Sequence, residues 1–129
     1  MKDYFQTLAC YNQWANDKLY DSCAHLSSNE YFKERKAFFR SIHGTLNHLL
    51  VADQLWLGRF TRKDSGITTL NQILYDDLVS VTHARQAWDK KIIEFINSID
   101  STKFNDDFTF QTLSGKETKM PLMWILSHF

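Results

Sequence analysis

The chain has 129 residues, a length typical of one domain, and 43% of them are hydrophobic and 15% aromatic. Its 15 basic and 15 acidic residues give a formal net charge of zero, and no basic run is present, which argues against a nucleic-acid partner. No apolar run approaches the roughly 20 residues of a membrane span, and the polar N-terminus is unlike a signal peptide. We therefore expect a cytoplasmic protein that contacts neither nucleic acid nor membrane, with residues 1–129 forming a single helical domain.

The first predicted helix, Lys2–Ala24, has apolar residues at helical spacing. Asn16 and Asp17 are poor helix formers near its middle, which indicates either a packing or hydrogen-bonding role or a solvated polar face. Cys10 and Cys23 lie on this helix roughly 20 Å apart along its axis. That separation is too large for a disulfide, so we expect two reduced thiols.

A short helix follows the first. Ser27, with Glu30 three residues later, matches a capping box and predicts a turn of helix over Ser28–Phe32. The charged run Lys33–Lys36 then reads as a solvated connector to the next long helix.

The second long helix, predicted from about Ala37 to Arg62, organises the chain. Its apolar residues recur three or four positions apart, the period of a buried helical face. Asp53 lies on that face, and His48 lies beside it. Gly44 and Ala52, one turn before and one turn after His48, leave space around the imidazole. This helix is the one place in the chain where the pattern indicates chemistry. The other histidines of the two long helices, His43 and His83, are predicted to be on the surface.

A third long helix is predicted from Thr68 or Thr69 to about Ile99. The alternating segment Asp107–Met120, with a turn at Ser114-Gly115, predicts a β-hairpin that must lie on the helices, since two strands alone are marginal. Pro121 suits the first turn of a last helix. That helix has an apolar stripe that stops at Phe129, and we expect it to be truncated there. The four tryptophans are predicted to be core residues.

Three segments together resemble one known family. Tyr11-Asn-Gln-Trp-Ala-Asn16 looks like the YNxWAN signature of the DinB/YfiT-like family of four-helix bundles, whose members are expected to be metalloenzymes. The segment from Gly44 to Phe60 resembles the second-helix signature of that family. Trp124–Phe129 resembles the entry to its fourth helix. The resemblance covers essentially the whole chain and implies an all-α, up-down-down-up four-helix bundle with a small β-hairpin before the last helix.

The resemblance also implies a metal site of three histidines. One ligand matches His48, and the other two are expected in the fourth helix beyond Phe129. His128 is a weak candidate for a second ligand. Asp53 is a candidate to orient a ligand from the second shell, although a structural bond to a Trp N–H or a helix end is the alternative. Imidazole ligands suit zinc or nickel. We expect the complete protein to hold the metal, and residues 1–129 alone to hold it weakly or not at all.

Two functions from different classes follow. The first is a divalent-metal enzyme, with a thiol-dependent S-transferase using bacillithiol, mycothiol or glutathione as the activity that the resemblance implies. The second is a non-catalytic helical bundle that binds a small molecule or a partner subunit. We also expect a homodimer, because the incomplete fourth helix would leave apolar faces uncovered. The substrate, the general base and the identity of the metal leave no trace in the sequence.

Overall fold

A computed structural model describes all residues, 1–129, as a mostly helical protein with one small sheet. The elements in chain order are α1 (Lys2–Ala24), α2 (Ser28–Phe32), α3 (Ile42–Thr61), α4 (Leu78–Ser98), β1 (Asp107–Gln111), β2 (Glu117–Pro121) and α5 (Leu122–His128). The prediction of a helical fold with a hairpin before the last helix is confirmed. The four-helix bundle topology stays a prediction, because only three helices are long and α5 has seven residues. No helix has the length and apolar character needed to cross a membrane.

The first two helices have the predicted bounds. Ser27 caps α2, since its Oγ accepts a hydrogen bond from the backbone N–H of Glu30 at 3.2 Å. The Glu30 side chain turns away from this cap and binds Arg35 instead. Cys10 is exposed and Cys23 is buried, and both are free thiols, as predicted.

The second long helix begins five residues later than predicted, at Ile42 instead of Ala37. Ser41 is its N-cap, and the Ser41 Oγ accepts from the N–H of Gly44 at 2.9 Å. Arg40 has a φ of 70°, a left-handed conformation that stops a helix from running through it. The connector before α3 is therefore longer than the charged run suggested.

The third long helix begins at Leu78, about ten residues later than predicted. Asp77 caps it by accepting from the N–H of Ser80 at 2.7 Å. Residues 67–77, before this helix, form an irregular loop, because the Asn47 side chain forms hydrogen bonds with main-chain groups of this segment. Asn47 Oδ1 accepts from the N–H groups of Leu74 and Tyr75 at 2.9 and 3.0 Å. A buried amide thus replaces the helical hydrogen bonds that the apolar pattern predicted.

The hairpin pairs β1 with β2 in an antiparallel register that places Phe108 opposite Met120 and Phe110 opposite Thr118. The hairpin packs on the helices, because Phe110 belongs to the largest core cluster and Phe108 and Met120 pack against that cluster. Within that cluster Phe104 stacks on Phe5 with ring centroids 5.4 Å apart. Two of the four tryptophans predicted to be in the core, Trp14 and Trp124, are instead exposed by 56% and 63%.

His43 was predicted to lie on the surface, and that prediction is wrong, since the residue is 7% exposed. Its Nδ1 lies 2.7 Å from the hydroxyl of Tyr31, a bond that fastens α2 to α3. Burial lowers the pKa of His43 below its ordinary value of 6.5, although the charges of Asp76 and Asp77 and the carbonyl of Tyr75 oppose the shift. Burial also raises the pKa of Tyr31 to about 12, so the phenol stays protonated and donates.

The lowered pKa of His43 predicts a loss of stability in mild acid. Below pH 6.5 the unfolded chain binds a proton that the folded protein does not, so the free energy of unfolding falls until the folded-state pKa is passed. Urea denaturation on either side of pH 6.5 measures this slope. We expect a shallower slope in His43→Gln and an unchanged one in His83→Gln, the exposed control on α4. Equal slopes in both variants would contradict the assignment to His43.

Candidate functional site

His48 is held in one orientation by the loop that precedes α4. Its Nδ1 lies 2.7 Å from the carbonyl oxygen of Leu70, which can only accept, so Nδ1 carries the proton of this bond. In the neutral imidazole, Nε2 then has the free lone pair. A backbone carbonyl that fixes the tautomer in this way is the usual partner of a metal-binding histidine.

An aromatic ring also restricts the plane of the His48 imidazole. The ring of Phe39 stacks on the imidazole with centroids 3.7 Å apart and planes 15° apart. Gly44 allows this arrangement, because a Cβ at that position would lie 2.1 Å from the carbonyl oxygen of Phe39. The small residue was predicted to leave space around the imidazole. In the structure, the main chain of Phe39 occupies that space.

A cavity of about 540 Å³ lies beside this arrangement, between the connector before α3 and the loop before α4. Its lining includes Phe39, which stacks on His48, and Asn71, which follows Leu70 in the chain. The cavity thus borders Phe39 and the residue after Leu70, while His48 and Leu70 are not part of its lining. Phe38, at its rim, is 92% exposed.

Asp53 points inward, as predicted, but its partner is a cation that the sequence reading did not single out. Arg85 Nη1 on α4 lies 2.5 Å from Asp53 Oδ2, and Arg85 Nη2 lies 2.7 Å from Asp89 Oδ1. Asp89 also accepts from the Nδ2 groups of Asn12 and Asn16 on α1 at 3.2 and 3.1 Å. One buried cluster, Arg85–Asp53–Asp89 with the two asparagines, therefore joins α1, α3 and α4.

Burial raises the pKa of Asp53 and of Asp89, and the Arg85 charge between them opposes the shift. The ion pair of Asp53 goes to Arg85. The alternative prediction for Asp53 was a structural bond to a Trp N–H or to a helix end. The structure pairs Asp53 with Arg85 instead.

Asp53 also borders a second cavity, of about 240 Å³, that is mostly apolar. Its other polar neighbours are Asn12 and Ser127. Its hydrophobic lining comes from α1, α4 and the end of the chain, namely Phe5, Leu8, Ala9, Tyr11, Ala15, Ile92, Ile96, Leu126 and Phe129.

His128 lies apart from His48. It is exposed, and its ring lies against Trp56 with centroids 6.4 Å apart. Trp56 is eight residues beyond His48 on α3, which is about 12 Å along the helix axis. Within one chain the structure does not bring the two histidines together.

Residues 1–129 supply one candidate metal ligand, His48, but not a complete metal site. No group of three or more His, Cys, Asp or Glu side chains in residues 1–129 could hold a metal ion. A catalytic zinc site needs three protein ligands with one position left open. His48 has the orientation of a ligand, but further donors would have to come from elsewhere.

The helices, the hairpin before α5 and the oriented histidine of α3 define a helical protein of the kind that the sequence resemblance implied. A family model for the DinB family matches residues 1–129. The chain therefore belongs to the DinB family. No curated protein matches the sequence.

Arg85 and Asp89 escaped the sequence analysis, although a signal was present. They lie four residues apart, with opposite charges, along the apolar face of a predicted helix, where charged side chains need partners. Asn16, noted as out of place in mid-helix, is buried and binds Asp89, whereas its neighbour Asp17 is exposed.

Gly44→Ala tests the packing that fixes His48. Alanine favours a helix by up to about 1 kcal/mol, but the new Cβ would displace Phe39, so we expect a net loss of about 1–3 kcal/mol. Gly58→Ala, on the same helix, is the comparison, because its Cβ would meet the carbonyl oxygen of Lys63 at 2.9 Å, a milder clash than the one at Gly44, and it should destabilise less. Urea denaturation and the ring-current shifts of the His48 protons report the two effects. The reverse order of stability would show that Phe39 adapts easily.

Arg85→Met would leave the carboxylates of Asp53 and Asp89 buried without a cation. Breaking a buried ion pair in this way costs about 3–5 kcal/mol. Lys90→Met, an exposed cation on the same helix, is the control and should change stability little. A small effect in Arg85→Met, measured by urea denaturation, would mean that α1, α3 and α4 hold together without the cluster.

Proposed function

We propose that this chain is a metal-dependent enzyme of the DinB family in which Nε2 of His48 supplies one ligand to a divalent ion, zinc or nickel. The observation that carries the proposal is the hydrogen bond from His48 Nδ1 to the carbonyl of Leu70, which leaves Nε2 with a lone pair. Stacking on Phe39 supports it, because a ring fixed in plane loses less freedom when it binds.

The proposal assigns the remaining donors to positions outside these 129 residues, on further chain or on a second copy. The absence of any group of three candidate ligands within one chain is the reason. The resemblance favours transfer of a group to a low-molecular-weight thiol as the reaction, and a bound metal would lower the pKa of such a thiol. Asp53, on the same helix as His48, is held in place by Arg85.

Metal content separates the possible sources of the missing donors. Elemental mass spectrometry would be applied, after incubation with Zn²⁺ or Ni²⁺ and removal of free ions, to the 129-residue chain and to the form that the gene encodes in full. Metal in the full form alone would place the other ligands on further chain. Metal in the 129-residue chain, at a ratio that rises with protein concentration, would place them on a second copy.

His48→Ala should abolish stoichiometric metal binding in whichever form binds it, because a ligand is removed. His83→Ala, an exposed histidine on α4, is the matched control and should bind as the unaltered protein does. Retention of metal by His48→Ala would refute the assignment. Light scattering on the same samples tests the predicted homodimer, and a monomer at high micromolar concentration would contradict it.

A second candidate function is a non-catalytic bundle that binds a small molecule. The apolar cavity beside Asp53 favours it, since a mostly apolar cavity with few polar groups is typical of a ligand site, and its volume of about 240 Å³ limits the ligand to a small one. The two candidates differ in their need for metal. Turnover that requires metal and is lost in His48→Ala would support the enzyme. Ligand binding that is unchanged by chelators and by His48→Ala would support the bundle.

A further inference from the structure

A third cavity, of about 270 Å³, lies between the C-terminal end of α3 and the hairpin, and neither candidate function uses it. Three cationic side chains line it, namely Arg59, Arg62 and Lys63. None of the three forms an ion pair. Asp64 is the one acidic residue of the lining, so three positive charges and one negative charge leave a net charge of +2 around the cavity.

The end of α3 brings the three cations together. Arg62 is the C-cap of the helix, and its φ of 57° is a left-handed conformation that turns the chain back on the helix. The N–H of Lys63 therefore donates to the carbonyl oxygen of Gly58 at 2.9 Å, which places Lys63 beside the turn of helix that contains Arg59. Nη1 of Arg62 donates to the carbonyl oxygen of Thr109 on β1 at 2.7 Å. The cations thus border the hairpin on one side of the cavity.

Aromatic rings hold both guanidinium groups. Cζ of Arg59 lies 4.4 Å from the ring centroid of Trp56 and 5.1 Å from that of Phe110. Cζ of Arg62 lies 4.5 Å from the ring centroid of Phe108. All three rings belong to the largest core cluster or pack against it. A guanidinium that stacks on a ring keeps its N–H groups available for hydrogen bonds at its edge, and here both are placed before a ligand arrives.

Arg59 is the cation that most lacks a partner. It is half-buried, and its nitrogens make no hydrogen bond within the protein. None of these nitrogens is among the fully buried polar atoms without a partner, so all of them reach the solvent. Burial lowers the pKa of Arg59, and no charge nearby offsets that effect. A half-buried cation with accessible N–H groups and no carboxylate beside it favours an anion from outside the chain.

We propose that this cavity binds the phosphate group of a small phosphate monoester. The planar fork of Arg59 donates to two phosphate oxygens, and Lys63 supplies a further positive charge. Arg62 donates through the nitrogens that its bond to Thr109 leaves free.

Charge and size select this class of ligand. A phosphate monoester carries nearly two negative charges at neutral pH, which balances the net charge of the lining, whereas a carboxylate carries only one. The cavity volume lies below the range of roughly 300–1,000 Å³ typical of larger ligands, so the organic group is small. The apolar residues of the lining, which would contact that group, are Leu55, Phe110 and Leu113.

Phenyl phosphate is the probe, because it joins a phosphate monoester to a small apolar ring. Phenyl sulfate has the same shape and only one negative charge, and phenol has none. Amide chemical shifts of the folded 129-residue protein would be followed by NMR as each compound is added, in metal-free buffer at about pH 7.5 and constant ionic strength. We expect saturable shifts confined to residues 55–65 and 108–113 with phenyl phosphate, binding about tenfold or more weaker with phenyl sulfate, and no saturable shifts with phenol.

Arg59→Lys separates a built site from diffuse positive charge, because it keeps the charge and removes the planar fork. It should weaken phenyl phosphate binding about tenfold, and Arg59→Met should weaken it further. Lys18→Met, which removes an exposed cation from α1, is the matched control and should leave the affinity unchanged. Phenyl phosphate binding that is equal in Arg59→Lys and in the unaltered protein would contradict the assignment to Arg59.

Two results with the unaltered protein would overturn the proposal, and they remain decisive if the Arg59 variants fail to fold. One is phenyl sulfate binding as tightly as phenyl phosphate, which would mean that the lining does not select a doubly charged group. The other is the absence of saturable shifts with phenyl phosphate, which would mean that the three cations are only solvated. Neither comparison involves metal or His48, so failure here leaves the metal proposal standing.

Discussion

The three long helices are joined by one guanidinium group. Arg85 on α4 contacts Asp53 on α3, and it contacts Asp89, which in turn binds two asparagines of α1. Two separate apolar clusters also join these three helices, and the polar layer adds a contact with defined geometry to them. A buried ion pair adds little net stability compared with an apolar contact, but it tolerates few alternative arrangements. The relative position of the helices therefore rests on this layer together with the two apolar clusters.

Local patterns predicted the parts of the fold that local interactions decide. The bounds of α1 and α2 follow from helical spacing and the cap at Ser27, and the hairpin follows from alternation and a glycine turn. The prediction failed where a distant side chain overrides the local pattern. Leu70 and Leu74 have helical spacing, yet Asn47, more than twenty residues away, binds the N–H groups that such a helix would need. A single sequence contains no sign of that contact.

The candidate site shows the same division. His48 and the inward direction of Asp53 could be predicted from the face of one helix and from family resemblance. Their partners could not, because Leu70, Phe39 and Arg85 come from three other segments. His43 was misplaced for a related reason, since its burial comes from α2, which folds over it. Polar residues on an otherwise apolar face are therefore detectable from sequence, whereas the groups that satisfy them require the tertiary structure.

The loop formed by residues 67–77 has no regular secondary structure, but two consecutive residues of α3 hold it at two places. Asn47 holds the N–H groups of Leu74 and Tyr75, and His48 holds the carbonyl of Leu70. Because Asn47 is completely buried, these loop amides open only when α3 itself separates from the loop. The segment is therefore tied to α3 at Leu70, Leu74 and Tyr75. The same loop thus fixes which ring nitrogen of His48 is free and gives its main chain to the buried Asn47.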